Sequence, residues 1–177
     1  MSGPWTGAAA LIVGGAGFVG SNLVRHLLDA GAGRLVVVDN LLSSERENLP
    51  ADDRVEFREG SIADDRVLAA LRDEFDWVFH LACYHGNQSS IHDPLADHEN
   101  NALTTLKLFW RLREFRRLKK VVYSAAGCAV AKKTDGAAEA TEECDTVSLA
   151  MDSPYSISKV LGEFYAVYFH AQHALPA

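Results

Sequence analysis

Ala8-Ala9-Ala10-Leu11-Ile12-Val13 runs straight into Gly14-Gly15-Ala16-Gly17-Phe18-Val19-Gly20, and the reading of this junction decides the fold. The first six residues are all apolar, as expected of a parallel strand buried on both faces. After the glycines, Val19, Leu23, Val24, Leu27 and Leu28 recur at helical spacing. Gly31 and Gly33 then stop the helix, which is predicted over Phe18 to Ala30. Strand, glycine turn and helix in that order form an anion site. Gly14 permits the tight turn, Gly17 lets the backbone approach a pyrophosphate, and Gly20 lets the helix pack closely on the strand. The helix N-terminus supplies unpaired N–H groups and the positive end of its dipole.

Working outward, Arg34 to Val38 reads as a second strand ending at Asp39. An acid about twenty residues past such glycines is placed to bind ribose hydroxyls, and it would repel a 2′-phosphate. The expected ligand is therefore NAD rather than NADP. Val55 and Phe57 alternate with charges, as in a third strand at a sheet edge. Asp64 to Phe75 has a helical pattern, and Trp77 to Leu81 is a fourth strand. Leu95 to Phe115 is a long helix with Pro94 near its start, Val121 to Ser124 a fifth strand, and Ser153-Pro154 opens a helix to about His170. This alternation predicts an α/β fold, a doubly wound parallel sheet of Rossmann type. Gly127 to Asp152 has no period and reads either as a functional loop or as disorder.

Composition narrows the class. The 177 residues carry 24 acidic and 17 basic side chains, a net charge of −7, with 48% hydrophobic and 23% charged residues. These are globular proportions in one domain, spanning 1–177. The acidic balance argues against nucleic acid, and no apolar run is long enough to span a bilayer. Cys83, Cys128 and Cys144 are odd in number and form no Cys-x-x-Cys. A disulfide framework is not expected, and a reducing cytoplasm is. His80, His85, His92 and His98 match no metal-ligand spacing. Lys107 to Lys120 holds seven basic residues, read as a solvated helix end.

Tyr155 and Lys159 lie four apart at the start of the last helix, so they share a face. A phenol is a poor base at neutral pH, and a neighbouring ammonium stabilises the phenolate. Such a pair can take and return a hydroxyl proton while NAD takes a hydride.

With these pieces in place the sequence resembles the extended short-chain dehydrogenases and, more narrowly, the NAD-dependent sugar-nucleotide epimerase/dehydratase family. The resemblance runs through Gly14 to Leu23, Asp39-Asn40-Leu41, Gly60-Ser61-Ile62, Val78 to Ala82, Asn100-Asn101, Val122-Tyr123-Ser124, Pro154 to Lys159 and Gly162-Glu163. It implies that Gly14, Gly17, Phe18, Val19 and Gly20 hold the pyrophosphate and Asp39 and Asn40 the adenosine ribose, with Leu41 also at the cofactor. Ser61 and Ile62 would flank the adenine, and Leu81, Ala82, Cys83 and Asn101 would complete the cofactor site. Tyr155 is the implied acid/base, with Lys159 tuning it and binding the nicotinamide ribose. His85 and Gln88, on the loop after the fourth strand, are candidate substrate contacts. The implied reaction is C4 epimerisation of a nucleoside-diphosphate sugar through a 4-keto intermediate, in a homodimer. A decarboxylase, a 4,6-dehydratase and a non-catalytic NAD-binding module are the alternatives.

The sequence departs from the family pattern in four places. Val13 replaces a threonine, and Ser61 replaces an aspartate. Ala126 falls at the catalytic hydroxyl position, which leaves Ser124, Cys128 or a water to serve. Leu175-Pro176 resembles the point where the family's sixth strand is about to begin, so the family's C-terminal substrate-binding region is expected to lie beyond this sequence. The chain is thus expected to be the N-terminal part of a longer enzyme.

Overall fold

A computed structural model describes residues 3–84, 86–126 and 151–177. Five parallel strands form one sheet: β1 (Ala9–Val13), β2 (Arg34–Asp39), β3 (Val55–Glu59), β4 (Trp77–His80) and β5 (Lys120–Tyr123). Their order is β3-β2-β1-β4-β5, so the chain reverses direction across the sheet between β1 and β4. Helices α1 (Phe18–Asp29), α2 (Asp65–Ala70), α3 (Asn87–His92), α4 (Pro94–Asp97), α5 (Thr104–Leu112) and α6 (Pro154–His173) complete the fold. His98–Leu103 winds as a π-helix that joins α4 to α5.

Strand periodicity splits the core in two. Ala10 and Ile12 of β1, with Leu35 and Val37 of β2, face α1 through Val24, Leu27 and Leu28. Leu11, Val13, Val36 and Val38 face the opposite way, onto Leu68 of α2, Leu108, Phe109 and Leu112 of α5 and Phe169 of α6. The sheet is therefore covered on both sides, as its unbroken apolar strands require. β3 is an edge strand, as its alternating charges predict.

Three expectations need correction. The second helix ends at Ala70 and does not continue to Phe75. Leu71 and Phe75 have helical spacing, but both are fully buried in the core, and the chain turns at Leu71 to insert them. The long helix begins at Pro94 and ends at Leu112, with a widened turn in its middle. Before it stands α3, which the sequence reading did not predict. The last helix runs three residues beyond His170, to His173. Most of the 127–152 loop lies outside the described residues.

The basic stretch after α5 is not simply solvated. Asp73 accepts the backbone N–H groups of Arg116 and Arg117 at 2.9 and 3.0 Å. Asp76, almost fully buried, takes the Arg117 guanidinium at 3.0 Å and the Lys119 ammonium at 3.2 Å, and accepts Ala9 N–H at 2.9 Å. These contacts tie the start of β1 to the segment that leads into β5.

At the other side, Gly162 lets α6 lie against the Tyr123 ring. A Cβ there would fall inside the van der Waals envelope of that ring.

Two predictions follow from this packing. Burial alone would raise the Asp76 carboxyl, but the Ala9 N–H, Arg117 and Lys119 outweigh it and hold the group at about 2 against an ordinary 3.8. A depressed carboxylate stabilises the fold above its unfolded value, and that contribution is lost as pH falls through the folded one. Urea midpoints should therefore show Asp76→Asn clearly less stable than wild type near about pH 6, with the gap closing between about pH 4 and 2. Gly162→Ala should destabilise by about 1–3 kcal/mol through overpacking. Helix propensity alone would give the opposite sign, by about 1 kcal/mol, so the sign of the shift in urea midpoint decides.

Candidate active site

The C-terminal ends of β1, β2 and β4 border a cleft, at the point where an open α/β sheet offers its natural crevice. Counting the space open to solvent, the cleft holds about 960 Å³. The turn after β1 forms its floor. Gly14 has φ +81°, and a Cβ on it would stand 2.5 Å from the Ala82 nitrogen, so only glycine fits. The Val13 carbonyl accepts both Leu81 N–H and Ala82 N–H, at 2.8 and 2.9 Å. The first strand and the segment after the fourth are thereby held together along the cleft.

Gly17 differs from its neighbours. Its φ of −71° suits any residue, and a Cβ there would meet nothing closer than the Gly14 carbonyl at 3.5 Å. Protein packing does not require glycine at this position; the space beside it faces the cleft. Gly17 is also the N-cap of α1, with no side-chain cap and no acid in the first turn. Phe18 and Val19 are strongly exposed at the cleft wall. The helix end thus presents N–H donors and a positive dipole to whatever occupies the cleft.

Asp39 is buried rather than solvated. One carboxylate oxygen accepts Ala16 N–H at 2.9 Å, and the other accepts Leu41 N–H at 3.0 Å and Ser44 Oγ–H at 2.9 Å. Two oxygens offer about four acceptor positions, so capacity remains for a ligand hydroxyl. Asn40, Ser61, Ile62, Leu81, Ala82 and Cys83 all line the cleft, as do Leu42, Ser44 and Tyr84, which the sequence reading did not select. Ser61 Oγ accepts Ala63 N–H at 3.1 Å, leaving its own proton to donate.

Leu41 and Asn101 stand away from the cleft wall. Leu41 takes a left-handed turn at φ +56°. Asn101 is buried, accepting Tyr84 N–H at 2.7 Å and donating to Asp97 at 2.7 Å, while its neighbour Asn100 faces the cleft. The spacing of two consecutive asparagines could not tell which one faces inward.

Beyond the cleft, Ser153 caps α6 by accepting Ser156 N–H, with Pro154 in the first turn. Lys159 is 3% exposed, and its ammonium donates to the Ser124 carbonyl at 2.9 Å, just past β5. The same nitrogen lies 5.7 Å from the centre of the Tyr155 ring and 5.3 Å from that of Tyr123. The sequence-predicted pair is therefore brought together at the end of β5. Ser124 adjoins it through its backbone, since its N–H donates to the His80 carbonyl at 3.1 Å.

His80 itself is buried. Burial chiefly, with the nearby Lys159 charge, pushes it down to about 3, so it is neutral. Thr105 Oγ donates to the Asn101 carbonyl at 2.7 Å and therefore accepts from His80 Nε2 at 3.0 Å. That assigns the proton to Nε2. Burial likewise raises the Tyr123 phenol far above its ordinary value.

Gln88 is exposed on α3, while His85 lies outside the described residues, as do Gly127 and Cys128. Ala126 is described and carries no hydroxyl. Among the described residues no group of three His, Cys, Asp or Glu side chains could hold a metal, and no helix is long and apolar enough to cross a membrane.

This chain is similar to several known proteins. A UDP-glucose 4-epimerase of Mycolicibacterium smegmatis is 36% identical over 88% of this chain and 49% of its own length. A dTDP-glucose 4,6-dehydratase of Streptomyces antibioticus is 33% identical over 93% of this chain and 50% of its own. The Bordetella bronchiseptica enzyme WbmF, solved in complex with NAD+ and UDP, is 60% identical with a TM-score of 0.85, covering 97% of this chain and 48% of that one. The chain thus spans about half the length of the relatives it matches. The family model for the NAD dependent epimerase/dehydratase family matches residues 10–177, and the chain belongs to that family.

Proposed function

We propose that this chain binds NAD in the cleft between β1 and β4 and serves the C4 epimerisation of a nucleoside-diphosphate sugar through a 4-keto intermediate. The residues present fit the cofactor. Gly17 leaves room that the fold does not need, the α1 N-terminus is uncapped toward it, and Asp39 keeps acceptor capacity at the end of β2. Gly14, Phe18, Val19 and Gly20 would hold the pyrophosphate, Asp39 and Asn40 the ribose, and Ser61 and Ile62 the adenine. The segment Leu81–Cys83 would line the side toward the nicotinamide. When bound, NAD supplies the acceptor and donor of a hydride.

The observation that carries the catalytic reading is the placement of Lys159. Burying an ammonium is costly unless it is paired or bonded. Here it is fixed on the Ser124 carbonyl and close to the Tyr155 ring. Its charge stabilises a phenolate on Tyr155, so that side chain can accept the sugar's O4 proton and return it. The neutral His80 adds no competing positive charge there. Ser124 takes the place of the hydroxyl expected at Ala126, assisting at the substrate oxygen. Gln88, and His85 on the same connection, would meet the sugar nucleotide. The epimerase and dehydratase relatives and the UDP complex of WbmF support a sugar-nucleotide substrate. Exposed Trp110 on α5, with Phe164, Val167 and Tyr168 on α6, supports a homodimer.

Three outcomes test this reading. Gly17→Ala should lower the melting temperature by only a few degrees, since alanine caps a helix less well than glycine, while weakening NAD affinity about tenfold or more, or roughly 1.4 kcal/mol, by isothermal titration calorimetry. Equal affinity would place the pyrophosphate elsewhere. Tyr155→Phe should keep NAD binding and lower kcat by a factor on the order of 10² to 10⁴. A panel of sugar nucleotides analysed by chromatography with mass detection should yield an isomer of unchanged mass. Loss of water or of carbon dioxide would reassign the reaction to dehydration or decarboxylation, and bound NAD without turnover would mark a binding module.

A further inference from the structure

Helix α3 makes a contact that the cofactor cleft does not explain. Tyr155 follows Pro154 in the first turn of α6, so its backbone N–H has no partner within the helix. Ser90, 65 residues away on α3 and 0% exposed, accepts that N–H at 3.1 Å. The Ser90 hydroxyl proton goes to the Asn87 carbonyl at 2.8 Å, which orients its lone pairs toward α6. A second bond runs in parallel, from Ser153 Oγ to Asn87 Oδ1 at 3.1 Å. Ser153 and Ser156 hydroxyls meet at 3.0 Å, and Ser156 donates to Asp152 at 3.0 Å. Every hydroxyl in this buried knot is used. The first turn of α6 is therefore fixed by another element rather than by its own sequence alone.

We propose that Ser90 is a positioning residue for Tyr155: it grips the tyrosine's main chain and sets where the phenol stands relative to Lys159 and the substrate. The proposal rests on the reading of Tyr155 as the proton-transfer group. Ser90 touches neither the cleft wall nor, being fully buried, any substrate, so it acts only through Tyr155. Without its hydroxyl, Tyr155 N–H loses its Ser90 acceptor in a buried site. The first turn of α6 should then loosen or shift. Displacing a reacting group by about 1 Å can cost two orders of magnitude in rate, while the glycine turn and Asp39, which Ser90 does not touch, keep their hold on NAD.

The test uses the full-length protein and compares wild type, Ser90→Ala, Ser90→Thr and Tyr155→Phe. Amide hydrogen exchange of Tyr155, read by NMR, reports the bond directly, since no intrahelical acceptor protects that N–H. Exchange should be at least about tenfold faster in Ser90→Ala than in wild type, and Ser90→Thr, which keeps the hydroxyl, should recover most of the protection. In the same proteins kcat should fall roughly ten- to a hundredfold in Ser90→Ala, with KM and NAD affinity within about twofold of wild type. An unprotected Tyr155 amide in wild type would overturn the proposal, which keeps it testable even if Ser90→Ala fails to fold. So would a folded Ser90→Ala with wild-type kcat, or one in which KM and NAD affinity collapse along with it. If wild type and Tyr155→Phe are equally inactive on every sugar nucleotide, the epimerase reading fails by itself. Equal Tyr155 exchange in wild type and Ser90→Ala would then refute the grip of Ser90, and faster exchange in the variant would uphold it.

Discussion

The approach of Gly14 to the backbone of Ala82 is the contact on which the cleft depends. Two parallel strands lie about 4.8 Å apart, so their exits can part only if the turns leaving them differ. β1 leaves through a left-handed Gly14, whose missing Cβ lets Ala82 pass. β4 leaves with both Leu81 and Ala82 hydrogen-bonded to the Val13 carbonyl. One chain then rises into α1, and the other runs outward past Cys83. A side chain at Gly14 would have to be accommodated by pushing these exits apart. Gly20 repeats the constraint one turn later, because a Cβ there would collide with the Gly14 carbonyl. The glycines thus do two kinds of work. Gly14 and Gly20 are required by packing, whereas at Gly17 the packing leaves room that faces the cleft.

Charge is organised around the same strand ends. The buried ammonium of Lys159 is stabilised by the Ser124 carbonyl and by two aromatic faces at 5.3 and 5.7 Å. Its nearest titratable neighbour on β4, His80, stays neutral, and burial keeps the Tyr123 phenol protonated. The Ser124 carbonyl dipole and the two ring faces help hold the ammonium at the end of β5.

Much of this was legible in the sequence because it is written in period and spacing. Alternation of Ala10 and Ile12 with Leu11 and Val13 marks a strand with two buried faces. Glycines at 14, 17 and 20 between strand and helix mark the cleft, and Tyr155 with Lys159 mark one helix face. What was illegible is decided by contacts distant in sequence. α3 is six mostly polar residues with no apolar period, and its bonds to α6 come from 65 residues away. Leu71 and Phe75 keep helical spacing and still leave the helix, because the core claims both. Asp39 has the position of a ribose ligand, yet three of its acceptor positions are filled by Ala16, Leu41 and Ser44. Asn101 looks like its neighbour Asn100 on paper, and only the Tyr84 backbone distinguishes them.

That last pair shows how the cofactor side and the proton-transfer side are joined. The segment after β4 is pinned first at Tyr84, whose N–H is held by Asn101 on the π-helical turn before α5. It is pinned again on α3, where Ser90 holds Tyr155 and Asn87 receives Ser153. Between β4 and α4, then, the described residues line the cleft at Leu81–Tyr84 and bond to the first turn of α6 through Asn87 and Ser90. Asn101, within the widened turn His98–Leu103, holds the Tyr84 backbone, and Thr105, just past that turn, meets His80. Irregular helical turns of this kind cost hydrogen-bond geometry and persist where they place side chains that a regular helix could not.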